Sequence, residues 1–426
     1  MKKVLIISPH FPPSNAADMH RIRMSLPYFK EYDYEVEVVT VYQKYYQSTQ
    51  DPLLLQSVPI GIKIHQVKAF SKKWTTKIGL GSLALRSLYF YKAYVNKLLK
   101  QTKFDLIYFS TTEFPLCILG AYWKKKFGIP YVIDMQDPWY SDYYESKPKA
   151  ERPKKYWLSY RMHKFLEPIA MKGVSGIISV SENYITNLRA RYPHLNSIPN
   201  EVITFGASEV DFEIAKQNTD QLKLFYKLEQ DLINLVYVGR GGYDMDKSLK
   251  ILFSTFKKGL DANENLFKKL RFYFIGTSYA PSGEGNETIA PIAKALGVDS
   301  YVTEITNRIG FYESIKNLES ADGLIIIGSN EAAYTASKLS PYVLAKRPLL
   351  AIFNAKSSIV KTIRTCAAGD LMLHDEDPNL SYNIFKEYLI KVESNLSPNT
   401  NWEAFEPYTA PYLTQRQTDF FDKIIS

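Results

Sequence analysis

The strongest constraint in this chain is a rhythm. Short apolar, β-branched runs alternate with longer amphipathic stretches, and the series stops and restarts once. Apolar runs of about four to eight residues read as strands buried in a sheet, and the amphipathic stretches between them as crossover helices. Strung in alternation, they give βα units around a parallel sheet. In the first half, strands are expected at 3–8, 35–41, 105–110, 131–134 and 176–180, with helices at 17–32, 82–100, 115–127, 153–172 and 182–192. The second half repeats the pattern, with strands at 233–239, 271–276, 302–305, 323–328 and 348–353. Its helices are expected at 245–259, 287–296, 312–320, 336–345 and 356–365. Residues 206–231 are polar and aperiodic and read as the connection between two domains. A last helix over 412–425 carries Phe420, Phe421 and Ile424 at near-helical spacing and is expected to return to the first domain.

The 426 residues suit two domains of about 100–200 residues each. The expected division is 1–205 with a returning segment 407–426, and 206–406. Two cysteines, Cys117 and Cys366, exclude a disulfide scaffold and any multi-cysteine metal site. Near the start, Val4-Leu5-Ile6-Ile7 is cut short by Pro9, Pro12 and Pro13, well below the roughly 7–15 apolar residues of an export signal. No run approaches the roughly 18 apolar residues of a membrane span. A cytoplasmic protein, peripheral at the inner face of a membrane if attached at all, is the expectation. The charge is uneven: residues 1–200 hold 29 lysines and arginines against 15 acids, and the remainder 24 against 29. A basic first half joined to a mildly acidic second half points to an anionic partner for the first.

Four motifs carry the candidate chemistry. Gly239-Arg240-Gly241-Gly242 follows an apolar strand and precedes a helix, where backbone N–H groups and the cations Arg240 and Lys247 can meet an anion. The same glycines also suit a plain tight turn. Gly328 through Leu339 runs from strand to polar loop to helix. There Thr335, Ser337 and Lys338 read either as a second phosphate-favouring helix start or as a helix cap with an exposed lysine. Asp134, Asp137 and Trp139 lie at the carboxyl end of the fourth expected strand, the edge where doubly wound sheets bind ligands. The carboxylates are candidates for acid–base work, for holding sugar hydroxyls or for capping. His10, ending the first strand, faces the same edge. Asp244-Met245-Asp246 spells D-x-D, but its position before a helix favours capping over a metal.

These residues carry a resemblance. The chain resembles the glycosyltransferase family-4-like (group 1) proteins of GT-B fold in Val4–Ser8 leading to Phe11-Pro12-Pro13, in 134–139, in 203–207, in Tyr237-Val238-Gly239-Arg240 and in 337–348. The resemblance implies two Rossmann-like doubly wound α/β domains facing across a cleft, with a C-terminal helix returning to the first. It also implies an acceptor-side first domain and a second domain that binds a nucleotide-sugar. By it, Gly239, Arg240, Lys247, Ser337 and Lys338 meet the donor diphosphate, and Glu331 and Thr335 lie near its ribose or sugar. Asp137 and His10 are the candidate catalytic groups and Asp134 and Trp139 the candidate acceptor contacts. The activity implied is sugar transfer to a saccharide or lipid-linked acceptor in cell-surface polysaccharide synthesis, retaining, with no cofactor and no metal. The family's paired glutamates fall here on Ala333 and Pro341. An epimerase or hydrolase of nucleotide-sugars, and a GT-B scaffold that binds without turnover, are therefore the alternatives.

Residues 68–103 hold eight lysines and Arg86 with no acid, interleaved with Trp74, Tyr89, Phe90, Tyr91 and Tyr94. A second basic, aromatic stretch spans 147–165. Both suit contact with anionic lipid, or else a buried apolar face under ordinary surface lysines. No nucleic-acid-binding motif accompanies them, so nucleic acid is not an expected partner.

Overall fold

The computed structural model describes residues 1–140, 156–229, 231–280, 283–331 and 339–426. Two compact units are found, Met1–Gly206 with Ala410–Ser426, and Ala207–Thr409. The first contains strands β1 (Lys2–Ile7), β2 (Tyr34–Val41), β3 (Lys63–Val67), β4 (Leu106–Ser110), β5 (Tyr131–Met135), β6 (Gly176–Ser179) and β7 (Asn200–Val202). Its helices are α1 (Met19–Ser25), α2 (Lys72–Thr75), α3 (Leu83–Gln101), α4 (Ile118–Phe127), α5 (Tyr156–Met171) and α6 (Glu182–Arg191). The strands form one parallel sheet in the order β3-β2-β1-β4-β5-β6-β7. Because successive side chains point to opposite faces, β1 sends Leu5 and Ile7 to one core and Val4 and Ile6 to another. Burial on both faces explains why the central strands read as unbroken apolar runs.

The second unit contains α7 (Glu209–Gln217), β8 (Ile233–Val238), α8 (Asp246–Asp261), α9 (Asn265–Lys268), β9 (Leu270–Ile275), α10 (Ala290–Ala295), β10 (Val302–Ile305) and α11 (Phe311–Glu319). It continues with β11 (Gly323–Ile327), α12 (Leu339–Leu344), β12 (Leu349–Phe353), α13 (Ser358–Cys366), β13 (Asp370–Leu373), α14 (Pro378–Glu393) and α15 (Trp402–Phe405). Its sheet is again parallel, in the order β10-β9-β8-β11-β12-β13. The chain then re-enters the first unit as α16 (Ala410–Ile425). There Phe421 lies 5.0 Å from the Tyr108 ring and 6.4 Å from Phe29, and Phe420 and Ile424 cover Gly176 closely enough to exclude a side chain there. Lys2 and Tyr34 both bond Asp422. The returning helix is thus as expected.

Residues 206–231 are not a linker. Most of the segment is folded into the second unit: α7 packs on α11, and Tyr312 donates to Asp211 at 3.3 Å. The buried Asn317 side chain accepts from the Phe225 N–H (2.9 Å) and donates to the Lys223 carbonyl (2.9 Å). A buried amide with several backbone partners satisfies the polar groups of an irregular segment and ties it to the unit. Polarity along this stretch reflects a half-exposed helix and loop, not absence of structure.

Each sheet has one place where strand order reverses. In the first, the chain builds β1, β2 and β3 outward and restarts with β4 on the other side of β1. In the second, β8, β9 and β10 run one way and β11 restarts beside β8. Outside the carboxyl ends of such neighbours the following loops separate, and ligands of open α/β sheets bind there.

Candidate functional site

At the reversal point of the second unit, the loops after β8 and β11 are tied together. The Asn330 N–H donates to the Asp244 carbonyl at 2.6 Å, and its side-chain amide donates to Asp246 at 2.7 Å. Arg240 sets both terminal nitrogens on Asp244, at 2.9 and 2.7 Å. That bidentate pair holds the Asp244 carboxyl below its ordinary value. Lys247, in the first turn of α8, reaches Asp375 beyond β13 at 2.7 Å. Both cations predicted to meet an anion are therefore present at this edge, and each is already engaged by a carboxylate.

The glycines have structural work of their own. The N–H groups of Gly239 and Gly241 donate to the carbonyls of Ile275 and Thr277 at 3.0 and 2.7 Å. A Cβ on Gly241 would lie 2.5 Å from the Thr288 hydroxyl, and one on Gly242 2.5 Å from Asp244. The turn is glycine-rich because neighbours crowd it. Asp244 and Asp246 make no side-chain cap of α8. They hold Arg240, Asn330 and Lys250 instead. Among the described residues, no group of three or more His, Cys, Asp and Glu side chains is placed to hold a metal ion.

One residue at this edge has no counterpart in the sequence reading. His374 follows β13 and is buried, with Nε2 2.7 Å from the Ser248 hydroxyl. The hydroxyl also lies 2.9 Å from the Gly328 carbonyl and 3.1 Å from that of Ile352. Burial lowers the imidazole's pKa, so the neutral ring, donating from Nε2 to the hydroxyl, stitches the ends of β11, β12 and β13 to α8. β13, Asp-Leu-Met-Leu, is only four residues long and is not among the expected strands, so the histidine that follows it is not among the expected site residues. Glu331 is exposed just beyond Asn330, its N–H on the Ser329 hydroxyl at 3.2 Å. Thr335, Ser337 and Lys338 lie outside the described residues.

The reversal point of the first unit is bridged by His10 and Asp18. Nδ1 of His10 is 3.0 Å from Asp18 Oδ1, and Asp18 Oδ2 also accepts from the Thr111 hydroxyl (3.1 Å) and the Thr112 N–H (3.2 Å). Burial alone would raise the Asp18 pKa, but these donors bring it below the ordinary carboxylate value. Burial likewise pulls the His10 pKa down, and the Asp18 contact overrides it, leaving His10 raised. Asp137 is exposed at the same edge, its pKa raised by partial desolvation and by the Asp18 charge. Glu113, largely buried and raised by that burial, accepts from the Ala84 N–H at the start of α3 (2.7 Å).

The sequence reading put Asp134 and Trp139 on the acceptor side, and the structure gives both interior work. Asp134 is fully buried and receives Arg21 Nε at 2.8 Å, the Tyr108 hydroxyl at 3.1 Å and Gln136 Nε2 at 2.9 Å. The other guanidinium nitrogens of Arg21 hold the Thr204 and Ile203 carbonyls at 2.8 and 2.6 Å. Trp139 is buried against Phe114, its indole N–H on His163 Nδ1 at 2.8 Å.

The basic stretches divide between core and surface. Leu83, Tyr91, Val95 and Leu99 of α3 are core, and Arg86 is buried with its guanidinium on the Phe70 and Tyr45 carbonyls. Trp74 (72% exposed), Tyr89 and Phe70 remain outside, and on α5 so do Trp157, Leu158 and Phe165. The Leu158 side chain abuts Gly79, a few residues after Trp74. Lys68, Lys72, Lys73, Lys77, Arg161 and Lys164 are exposed on the same two segments. Of the second basic stretch, residues 147–155 lie outside the described residues. No described helix is long and apolar enough to cross a membrane.

No family model and no curated protein sequence matches the chain. Solved structures do. HepE of Anabaena, solved with UDP, is 15% identical with a TM-score of 0.55, over 99% of this chain and 100% of that one. HepE was also solved with UDP-glucose. WaaG, a glycosyltransferase of lipopolysaccharide biosynthesis, is 15% identical with a TM-score of 0.53, over 99% of each chain. A glycosyltransferase of Rickettsia africae is 10% identical with a TM-score of 0.57, over 100% of this chain and 99% of that one. At these identities the likeness establishes a shared fold, the α/β fold of GT-B glycosyltransferases.

Proposed function

We propose that this chain transfers a sugar from a nucleotide-sugar donor to a hydroxyl of a saccharide or lipid-linked acceptor, in the building of cell-surface polysaccharide. The observation that carries the reading is the placement of Arg240 and Lys247 at the strand-order reversal of the second unit, in a fold shared with a protein solved with UDP and UDP-glucose. Bond breaking at the anomeric carbon leaves negative charge on the departing diphosphate. Fixed cations that stabilise this charge accelerate the step. Arg240, Lys247 and, from the sequence, Lys338 would supply that charge with no metal required, with Ser337 beside the diphosphate. Glu331 and Thr335 would lie toward the ribose or sugar. The acceptor would bind at the first unit's edge, with Asp137 accepting one of its hydroxyl hydrogens.

A lipid-linked acceptor would also account for the basic first half. Exposed Trp74, Trp157 and Phe165, ringed by lysines, form a surface suited to the headgroup region of an anionic bilayer, where aromatic side chains partition and cations are attracted. The test of the reading is binding of UDP, GDP and their sugars by calorimetry, followed by nucleotide release with and without candidate acceptors. Release that needs an acceptor supports transfer. Equal release without one supports a hydrolase, and binding without release supports a scaffold.

A further inference from the structure

We infer that His374 is a positioning residue for donor binding: through the Ser248 hydroxyl it fixes the first turn of α8, and with it Lys247, so that the ammonium is already in place when a diphosphate arrives. The inference rests on the nucleotide-sugar reading above and adds to it a residue that acts through Ser248 and not on the ligand. Its basis is two contacts that run side by side. Nε2 of His374 lies 2.7 Å from the Ser248 hydroxyl, and the next residue, Asp375, holds the Lys247 ammonium at 2.7 Å. Two consecutive residues after β13 thus grip two consecutive residues of α8. His374 secures the helix turn from which the lysine springs, and Asp375 holds the lysine's far end.

The hydroxyl decides which ring nitrogen carries hydrogen. Besides His374, Ser248 Oγ faces the Gly328 carbonyl at 2.9 Å and the Ile352 carbonyl at 3.1 Å. A hydroxyl has one hydrogen to give, and carbonyls only accept. Turned toward a bare Nε2, that hydrogen would leave both carbonyls facing an oxygen lone pair. With hydrogen on Nε2, the ring donates to Oγ and Oγ donates to the carbonyls. The other nitrogen, Nδ1, is buried with no hydrogen-bond partner among the described residues. A proton there would be a buried donor without an acceptor, so the ring stays neutral. Burial and the Lys247 charge act in the same direction, against the weaker pull of Asp375 and Asp246.

Ser248 is thereby joined to the ends of three strands that are adjacent in the sheet, β11, β12 and β13. Ser248 is fully buried and His374 is 6% exposed, so the tie is made beneath the surface on which a ligand would lie. Lysine carries its charge on a flexible four-carbon stem, and ordering that stem on binding subtracts from affinity. A fixed backbone at Lys247 limits how far the ammonium strays before the ligand comes. Loosening the tie should therefore weaken diphosphate binding through Lys247 and through no other contact.

The test has two arms. In the isotope-labelled full chain at neutral pH, ring-nitrogen NMR, with H374Q to assign His374 among six histidines, should show hydrogen on Nε2 and none on Nδ1. Hydrogen on Nδ1 overturns the inference. The second arm is calorimetry with UDP, GDP and their sugars. H374N, whose amide falls short of Ser248, and S248A, which removes the hydroxyl, should each bind the recognised ligand about 3- to 10-fold more weakly than wild type. H374Q, whose amide reaches the place of Nε2, should recover most of that loss. In a K247A background, H374N should weaken binding by less than about twofold, because its effect passes through Lys247. A merely structural role would lower affinity equally in both backgrounds. Urea unfolding identifies any variant that does not fold, and S248A answers the question if H374N is one. Wild-type affinity in folded S248A, or a loss in H374N that persists undiminished in K247A, overturns the inference and leaves the donor reading standing on Arg240. Failure of UDP, GDP and their sugars to bind the wild type overturns that reading and the inference with it.

Discussion

Arg240 and Asp244 are locked in a bidentate pair, with both terminal guanidinium nitrogens on the two carboxylate oxygens at 2.9 and 2.7 Å. A diphosphate that recruits Arg240 must share it with Asp244 or displace that carboxylate. Exposed and half-exposed ion pairs contribute about 0.2–1 kcal/mol, so the competition is modest but measurable. Asp244→Asn should therefore tighten binding of a nucleoside diphosphate by up to about fivefold. Calorimetry on wild type and D244N reads this directly, and weaker binding in D244N would mean that Asp244 orients Arg240 for the ligand instead of competing with it.

The buried pair Arg21–Asp134 should dominate the stability of the first unit. Arg21→Met leaves the Asp134 carboxylate, fully buried, without its cation and strips the Ile203 and Thr204 carbonyls of a donor. Breaking a buried pair in this way costs about 3–5 kcal/mol. Urea unfolding should show a clearly lower midpoint for R21M. The double variant R21M/D134L, which removes both charges, should recover much of the loss.

The His10–Asp18 contact predicts a pH window of stability. His10 is raised above 6.5, so its contribution is complete below 6.5 and is lost as pH rises through the raised value. Asp18 is lowered below 3.8, so its contribution is complete above 3.8 and is lost as pH falls through the lowered value. The melting temperature of wild type minus that of D18N should be greatest between those two limits and shrink on either side. A difference independent of pH would contradict the pairing.

Membrane contact by the first unit should have separable electrostatic and apolar parts. Vesicles containing anionic lipid should bind the protein less as salt rises, since screening lengths fall to about 10 Å at 0.1 M. Neutralising Lys72, Lys73 and Lys77 should flatten that salt dependence. Replacing Trp74 and Trp157 with Ala should weaken binding at every salt concentration. Equal binding to neutral vesicles would leave the charge asymmetry without this explanation.

How much of this was legible in the sequence depended on whether a signal was local. Central strands such as β4 and β11 are buried on both faces, so their apolar runs announce them. The edge strand β3, Lys-Ile-His-Gln-Val, is covered on little of its surface and its composition is that of a loop. Helix α14 carries a local signal, an Asp377 cap followed by Pro378 at its first position, and yet is not among the expected helices. At the sites, His10 and Arg240 could be named from their places after strands. The partners that define their chemistry were hidden for different reasons. Asp244 lies four residues from Arg240 and is within reach of it along the chain, whereas Thr111 and Thr112 reach Asp18 only because β4 lies beside β1. Asp134 and Trp139 sat at the right edge of the sheet, but sequence alone does not say which side chains after a strand turn inward.

The central claim, that the second unit holds a nucleotide-sugar by its diphosphate, is tested most directly by titrating wild type and R240A with UDP, GDP and their sugars in a calorimeter. Charge-assisted hydrogen bonds contribute about 1.5–3 kcal/mol, so R240A should bind the recognised nucleotide roughly 10- to 100-fold more weakly. Wild-type affinity in R240A, or no heat with any of these ligands in the wild-type protein, would contradict the account.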